Sequence, residues 1–222
     1  MKEYSEVTMK KGASVSLLLL VLICSFALAR GVVYLSEDFE RYSVNAYPAG
    51  FTCAYDGTGK SNQKVITANG PDGSLTKVFR LQGKNSWGSQ QDFLLPSPLP
   101  DRLIVQAYVK PIGNQLPGSI GLRNPDVGTW GTGIGGVGFS GNGKLNAMGG
   151  ASTSYRLGVW YFIDITYDFV TLTADVRVDG MLLSSGIPFG TKVKQTHLFL
   201  HSGNQGQNEI LFDEITMIAI YR

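Results

Sequence analysis

The chain has 222 residues, of which 43% are apolar and 16% are charged, and its formal net charge is +2. This many apolar residues can form a large core and exclude a disordered chain. A net charge so close to zero argues against nucleic acid or an acidic membrane surface as the partner. The 28 glycines are typical of a β protein with many tight turns.

The N-terminal segment, residues 1–29, has the organisation of a secretory signal peptide. A basic start at 9–11 precedes an almost unbroken apolar run at 15–29, which ends in Ala-Leu-Ala. Small residues at these alternate positions suit signal peptidase. The run is shorter than the roughly 20 residues of a membrane-spanning helix. We therefore predict a signal helix cleaved after Ala29, with Met9 as an alternative start.

Cleavage would leave residues 30–222 as a single secreted domain. It would also remove Cys24, so Cys53 would have no partner for an intrachain disulfide. The alternative is an uncleaved segment that holds the domain at a membrane surface.

Short stretches with period-two alternation follow one another along residues 30–222, and none shows a long helical period. Clusters of Gly, Pro and Asn separate them, as turns separate antiparallel strands. The predicted strands are Val32–Phe39, Lys64–Ala68, Lys77–Gln82, Arg102–Lys110, Ser119–Arg123, Gly136–Ser140, Lys144–Ala147, Tyr161–Tyr167, Leu172–Val178, Met181–Leu183, His197–His201 and Ile210–Tyr221.

The stretch at 159–180, VWYFIDITYDFVTLTADVRVDG, predicts a β-hairpin with one buried face. A break at 168–170 joins its two ladders, and Asp179-Gly180 is a favoured pair for a type I′ turn. Alternate side chains of paired strands must share a face. The residues predicted to face the core are Tyr161, Ile163, Ile165, Tyr167, Leu172, Ala174, Val176 and Val178.

The order of these motifs resembles that of concanavalin A-like and laminin-G-like jelly-roll modules. The hairpin, the stretch EDFERYSVNAYPAGF from Glu37 and the stretch LFDEITMIAIYR from Leu211 are similar to the strand pair, first strand and last strand of such modules. The resemblance implies an all-β fold, an antiparallel two-sheet jelly-roll sandwich. It leaves function open, because the fold hosts lectins, glycosidases, lyases and structural modules.

The acidic residues do not form a recognisable catalytic pair. Laminarinase-type glycosidases with this fold carry Glu-x-Asp-x-x-Glu on one strand, and this chain has no such pattern. The glutamates of residues 30–222 all lie near its ends, at Glu37, Glu40, Glu209 and Glu214. The sequence therefore disfavours an enzyme.

The aspartates of the hairpin suit turns and the wet face of a sheet. His197 and His201 would lie about 13 Å apart on an extended strand, too far to share a metal ion. No nucleophile motif accompanies them. An unrecognised polysaccharide-active enzyme, either a hydrolase or a lyase, remains the alternative.

Sugar sites use flat aromatic faces together with amide and charged groups that bind hydroxyls. The candidates for such a site are Trp87, Trp130, Arg123, Asn124, Tyr155, His201 and Asn204. The competing interpretation of each aromatic is that it caps the sandwich core.

Acidic residues near both ends of the domain suggest a structural Ca²⁺. The resemblance implies that first and last strands meet, and related modules hold calcium there. It assigns Asp38, Glu40 and Asp213 as ligands, helped by carbonyl groups and water. The competing interpretation is a solvated acidic edge that discourages strand pairing.

Together these observations predict a secreted, non-catalytic carbohydrate-binding module whose partner is a glycan or polysaccharide. The alternatives are the polysaccharide-active enzyme and a structural or adhesive module of the cell surface.

Overall fold

The computed structural model describes residues 30–57, 59–84, 87–113, 117–127, 134–147, 149–189, 194–204 and 208–222. The predicted signal segment, 1–29, and Trp130 lie outside these residues. Residues 31–221 form one compact unit.

The described residues form two β-sheets. The strands of the first sheet are β1 (Arg30–Glu37), β3 (Gln63–Asn69), β4 (Leu75–Gly83), β6 (Arg102–Pro111), β11 (Tyr161–Asp168), β12 (Thr173–Val178), β13 (Met181–Pro188) and β15 (Asn208–Tyr221). The strands of the second sheet are β2 (Phe51–Asp56), β5 (Ser89–Leu94), β7 (Gly118–Arg123), β8 (Ile134–Ser140), β9 (Lys144–Ala147), β10 (Ser152–Ser154) and β14 (His197–Ser202). Two short 3₁₀ turns, Lys60–Asn62 and Pro125–Val127, complete these elements.

Strands that pair with a known register run antiparallel to each other in both sheets. The first sheet runs β13-β12-β11-β6-β15-β4-β3, with β1 also paired to β15, and the second runs β10-β9-β8-β7-β14-β5-β2. The registered pairs of both sheets are antiparallel.

The core lies between the two sheets. Phe79 and Ile165 of the first sheet are fully buried in one cluster with Leu122, Leu198 and Leu200 of the second. Apolar residues at alternate positions supply this cluster, because a strand presents every second side chain to the same face. The prediction of an all-β, antiparallel two-sheet sandwich is thus confirmed. Within the described part of the chain, no helix is long and apolar enough to cross a membrane.

The hairpin of β11 and β12 has the predicted register over most of its length. Ile163 pairs with Val178 and Ile165 with Val176, and all four side chains are buried. Asp179 and the following glycine have φ values of 51° and 77°, the positive pair that a type I′ turn requires.

The prediction that Leu172 faces the core is wrong. Leu172 is 44% exposed, has φ 56°, and lies in the turn between the strands. The carboxylate of Asp168 accepts backbone hydrogen bonds from Val170 (3.0 Å) and Thr171 (2.8 Å), and these bonds form the turn. β12 therefore begins only at Thr173.

Candidate functional site

The outer face of the second sheet carries a group of polar side chains that lie outside the apolar core. Leu198 and Leu200 of β14 point into the core, so alternation places His201 of the same strand on the outer face. His201 pairs with Gln90 of β5 and with Ser119 of β7. We call Gln90, Asp92, Arg123 and His201 the outer polar group.

Asp92 is the centre of this group. Its carboxylate accepts a hydrogen bond from Gln90 Nε2 at 2.9 Å and lies 3.2 Å from Arg123 Nε. Burial raises the pKa of Asp92, while the Gln90 hydrogen bond and the positive charge of Arg123 act in the opposite direction. Only 5% of Asp92 is exposed, so this pairing compensates a charge that water hardly reaches.

His201 lies beside this pair and is also buried. Burial, and secondly the charge of Arg123, lower the pKa of His201 to about 4. The ring is therefore neutral at physiological pH. A Cβ added at Gly88 would lie 2.5 Å from His201 Nε2, so only glycine lets the backbone pass so close to the ring.

Trp87 immediately precedes Gly88 and is 54% exposed. Its backbone exchanges two hydrogen bonds with Lys84, at 2.8 and 2.9 Å, which hold Trp87 against the residue that follows β4. Trp87 is therefore joined to this face through Gly88, whose backbone lies against the buried His201. Asn204, which is half-buried, follows β14 at the strand end that carries His201.

The outer face continues from β7 to the edge strand β10 as a polar strip. Gly121 of β7 pairs with Gly136 of β8, and a Cβ at Gly121 would lie 3.0 Å from the ring of Phe199. Beyond the glycines, Lys144 Nζ donates to Ser154 Oγ at 3.1 Å on the exposed edge. Hydrogen-bonding side chains therefore lie on both sides of the glycine pair.

Two predicted site residues lie apart from this face. Tyr155 is buried in the core cluster, packs edge-on against Phe139 at 5.1 Å, and donates its hydroxyl to Ser140 O at 2.9 Å. Asn124 is buried at the end of β7, where its amide donates to Lys194 O at 2.7 Å. Tyr155 thus serves packing, and Asn124 holds two chain segments together.

Arg123 and His201 are predicted residues that the structure brings together, and Trp87 adjoins them through Gly88. Sequence reasoning missed Gln90 and Asp92, because the stretch SQQDFL resembles a polar loop. Its position between two predicted strands, Lys77–Gln82 and Arg102–Lys110, could have identified this stretch as a strand.

The hairpin aspartates serve turns and sheet edges. Burial alone would raise the pKa of Asp168, but hydrogen bonds from Thr171, Arg102 and Val170 lower it to about 2. The carboxylate of Asp179 accepts from Phe162 N at 2.8 Å. Such carboxylates stabilise backbone turns, as the sequence suggested.

The predicted calcium ligands Asp38 and Glu40 already accept hydrogen bonds within the chain. Asp38 accepts a hydrogen bond from Glu40 N at 3.1 Å, and Glu40 accepts one from Lys77 N at 2.7 Å. Both carboxylates therefore already have backbone partners. No three His, Cys, Asp or Glu side chains of the described residues are placed to hold one metal ion.

Asp213 is the unusual member of this acidic group because it is only 2% exposed. Burial raises its pKa to about 7, and the charges of Glu214, Glu40 and Asp38 add to that rise. The carboxylates of Asp38 and Glu40 thus raise the pKa of Asp213, but the three side chains are not placed together as ligands of one metal ion. Calcium binding here stays a prediction.

The fold and this face define a class of protein: an antiparallel two-sheet β-sandwich with a polar outer face on one sheet. The sequence matches no family model and no curated protein. Solved structures do resemble the fold.

One similar structure is a carbohydrate esterase from the Shiga toxin-encoding bacteriophage phi24B, with a TM-score of 0.55 and 10% identity over 86% of this chain and 99% of the esterase. The cellulose-induced protein Cip1 is similar with a TM-score of 0.52 and 13% identity, over 82% of this chain and 96% of Cip1. A sialidase is similar with a TM-score of 0.52 and 12% identity over 78% of this chain. The chain spans only 19% of that sialidase. Identities this low establish the fold alone.

Proposed function

We propose that this protein binds carbohydrate without catalysis, at Trp87 and the adjoining outer face of the second sheet. The observation that carries the proposal is that Trp87, 54% exposed, adjoins Gly88, whose backbone lies against His201 of the outer polar group. Exposed aromatic faces pack against the apolar faces of sugar rings, and nearby polar groups bind the hydroxyls.

The outer polar group supports this proposal by its rigidity. Asp92, Gln90 and Arg123 hold one another through the contacts at 2.9 and 3.2 Å, so their positions do not depend on a ligand. A site that is ordered before binding loses less conformational entropy on binding. Ser119 and Asn204, both half-buried, add polar side chains that hydroxyl groups can reach.

The fold relatives give independent support for the ligand class. Two of the similar structures that cover most of both chains are named for carbohydrate: an esterase and a cellulose-induced protein. Their likeness concerns the fold, so the choice of carbohydrate for this chain rests on Trp87 and its surroundings.

The burial of His201 favours binding over catalysis. A general base must reach the proton that it removes, and its pKa should lie near the working pH. His201 Nε2 is buried beneath Gly88, and the pKa of the ring is about 4. His201 therefore meets neither condition for a general base.

The test is a glycan array probed with the full protein and with Trp87→Ala. We expect binding to one glycan class that Trp87→Ala reduces at least tenfold. Met181→Ala, which removes an exposed side chain from the first sheet, should bind like the wild type. Equal binding by all three proteins would refute the site.

A reducing-sugar release assay on the bound glycans distinguishes the enzyme alternative. We expect no release above the rate without protein. Release that depends on His201 or Asp92 would show that the protein is a polysaccharide-active enzyme rather than a binding module. Binding to no glycan would favour the structural or adhesive module.

We also propose that the domain acts outside the cell. The support is the apolar run at 15–29 and the Ala-Leu-Ala that ends it. Mass spectrometry of the exported protein should give an N-terminus at Arg30. An N-terminus at Met1 or Met9 would favour the uncleaved segment.

A further inference from the structure

A cavity of about 540 Å³ opens at the edge of the sandwich where β2 of one sheet and β3 of the other end the two layers. Its lining residues are Asn45, Tyr47, Cys53, Ser61 and Gln63. The volume lies within the range of small-molecule sites. This cavity is separate from the outer polar group, because Gln91 beside it lies on the opposite face of β5 from Gln90 and Asp92.

A chain of hydrogen bonds leads from the cavity into the core. The hydroxyl of Tyr47 donates to Gln91 Oε1, and Gln91 Nε2 donates to Gln63 Oε1 at 2.6 Å. Gln63 Nε2 then donates to Tyr55 O at 2.6 Å. Both glutamines are almost completely buried. Apolar side chains at these positions would not carry the cost of burying amide groups. Because these amide groups are paired, they hold Tyr47 and Gln63 in fixed positions.

Tyr47 forms a rigid aromatic wall of the cavity. Its ring packs edge-on against Phe79, with centroids 6.2 Å apart and an interplanar angle of 89°. The residue is 39% exposed. Burial first, and then the nearby Cys53 and Asp92, raise the pKa of Tyr47, so its hydroxyl stays protonated as a donor to Gln91.

The mouth of the cavity offers polar groups that the fold does not use. Asn45 and Ser61 are exposed, and their side chains make no hydrogen bond with any part of the chain that the structure describes. None of the five lining residues is of an acidic or basic type. Among these five described residues, a charged ligand would lose its hydration without gaining an ionic partner. Their side chains therefore suit an uncharged ligand with hydroxyl or amide groups and an apolar face.

We propose that this cavity is a second ligand site, which binds one uncharged sugar ring against Tyr47. Asn45 and Ser61 bind the hydroxyl groups of the ring, and Gln63 forms the polar floor. The proposal goes beyond carbohydrate binding at Trp87, since it rests on different residues at a different edge of the molecule.

Cys53 provides a reporter inside the cavity, because it is an exposed free thiol among the lining residues. The experiment measures the rate at which a thiol reagent modifies Cys53 in the full chain carrying Cys24→Ser. The probes are glucose, galactose, mannose and N-acetylglucosamine, with glucuronate as the charged comparison. We expect at least one neutral sugar to slow the modification several-fold and saturably, and glucuronate to have no effect.

Two variants locate the protection at the cavity. Ser61→Ala removes a hydroxyl, and Asn45→Gly removes the amide while tolerating the φ of 71° at that position. Each should weaken protection several-fold. Ser185→Ala, a matched change at an exposed serine of β13, at the opposite edge of the first sheet from β3, should leave protection unchanged.

The outcomes also separate this site from the one at Trp87. Protection that persists in Trp87→Ala supports an independent site, whether or not that variant still binds glycans on an array. Protection that disappears in Trp87→Ala assigns the effect to the outer face and overturns the proposal. The same conclusion follows if no neutral sugar slows the modification, or if Ser61→Ala and Asn45→Gly protect like the parent.

Discussion

Two interior strands, β11 of the first sheet and β5 of the second, use their side chains in opposite ways. In β11 the buried face is apolar, with Ile163, Ile165 and Tyr167, and the other face is half-buried and mostly polar. In β5 the four residues Ser89 to Asp92 are all polar and all buried, on both faces. Apolar burial stabilises the first strand, whereas hydrogen bonding must compensate burial in the second.

This difference underlies both proposed sites. A strand such as β11 needs only shape and apolar surface. A strand such as β5 carries polar side chains that an all-apolar sandwich would not need. Its outer face supports the proposed site at Trp87, and its inner face supplies Gln91 to the cavity at Tyr47.

The largest expected effect tests the packing role of β11. Ile165 is fully buried, so Ile165→Ala should lower the free energy of unfolding by about 2–5 kcal/mol through lost burial and a cavity. Denaturant unfolding followed by fluorescence measures this change. Asp164→Ala, on the half-buried face of the same strand, is the control and should cost less than about 1 kcal/mol. A larger cost for Asp164→Ala would place the wrong face of β11 in the core.

The next effect is the pH dependence that His201 produces next to β5. The pKa of His201 is about 4 in the folded protein, against about 6.5 for an unperturbed histidine. The unfolded state therefore takes up a proton first, and stability falls by up to about 3 kcal/mol as pH drops from 6.5 to 4. His201→Gln should remove this loss. Unfolding curves of both proteins between pH 4 and 8 measure it, and parallel pH profiles would contradict it.

The charge of Asp92 should matter more than that of an aspartate on β11. Asp92→Asn keeps the shape but removes the ionic partner of Arg123, so stability should fall by about 1–3 kcal/mol. Asp164→Asn is the matched control, because Asp164 also accepts a glutamine hydrogen bond, from Gln106 at 3.3 Å, without being buried. Equal costs in denaturant unfolding would show that the burial of β5 is not what distinguishes the strands.

Asp213 should give a pH dependence of the opposite sign. Its pKa of about 7 in the folded protein lies above the unperturbed value of about 4 for aspartate. Stability from the protonated carboxyl is present below pH 4 and is lost as pH rises through 7. Asp213→Asn should therefore flatten the decline in melting temperature between pH 4 and 7. Because His201 acts in the other direction, the single variants reveal slopes that partly cancel in the wild type.

The smallest effect tests the predicted calcium ion. If Asp38, Glu40 and Asp213 bind calcium with help from carbonyl groups and water, added Ca²⁺ should raise the melting temperature above that in chelator. Asp213→Asn should lose this difference. Identical melting curves with Ca²⁺ and with chelator would leave the acidic group as a solvated edge.

Of the three strands that the sequence analysis missed, β2, β5 and β10, the last two share one physical reason. β5 and β10 are rich in Ser and Gln, and β10, Ser-Thr-Ser, is exposed throughout. Neither has the apolar alternation that marks a half-buried strand, so only pairing with neighbours identifies them. Leu172 shows the converse, because its apolar side chain continued a pattern that the Asp168 turn had already ended.

The sequence by itself determined the sandwich and the inner faces of its regular strands, because hydrophobic alternation is a local property of the chain. Trp87, Arg123 and His201 were also identifiable from residue type and neighbours. Only the tertiary structure decided that Arg123 meets Asp92, that Gly88 covers His201, and that Tyr47 reaches Gln91. Each of these contacts joins residues that are distant along the chain. Strand register and burial determine these contacts, and neither can be deduced from the local sequence pattern.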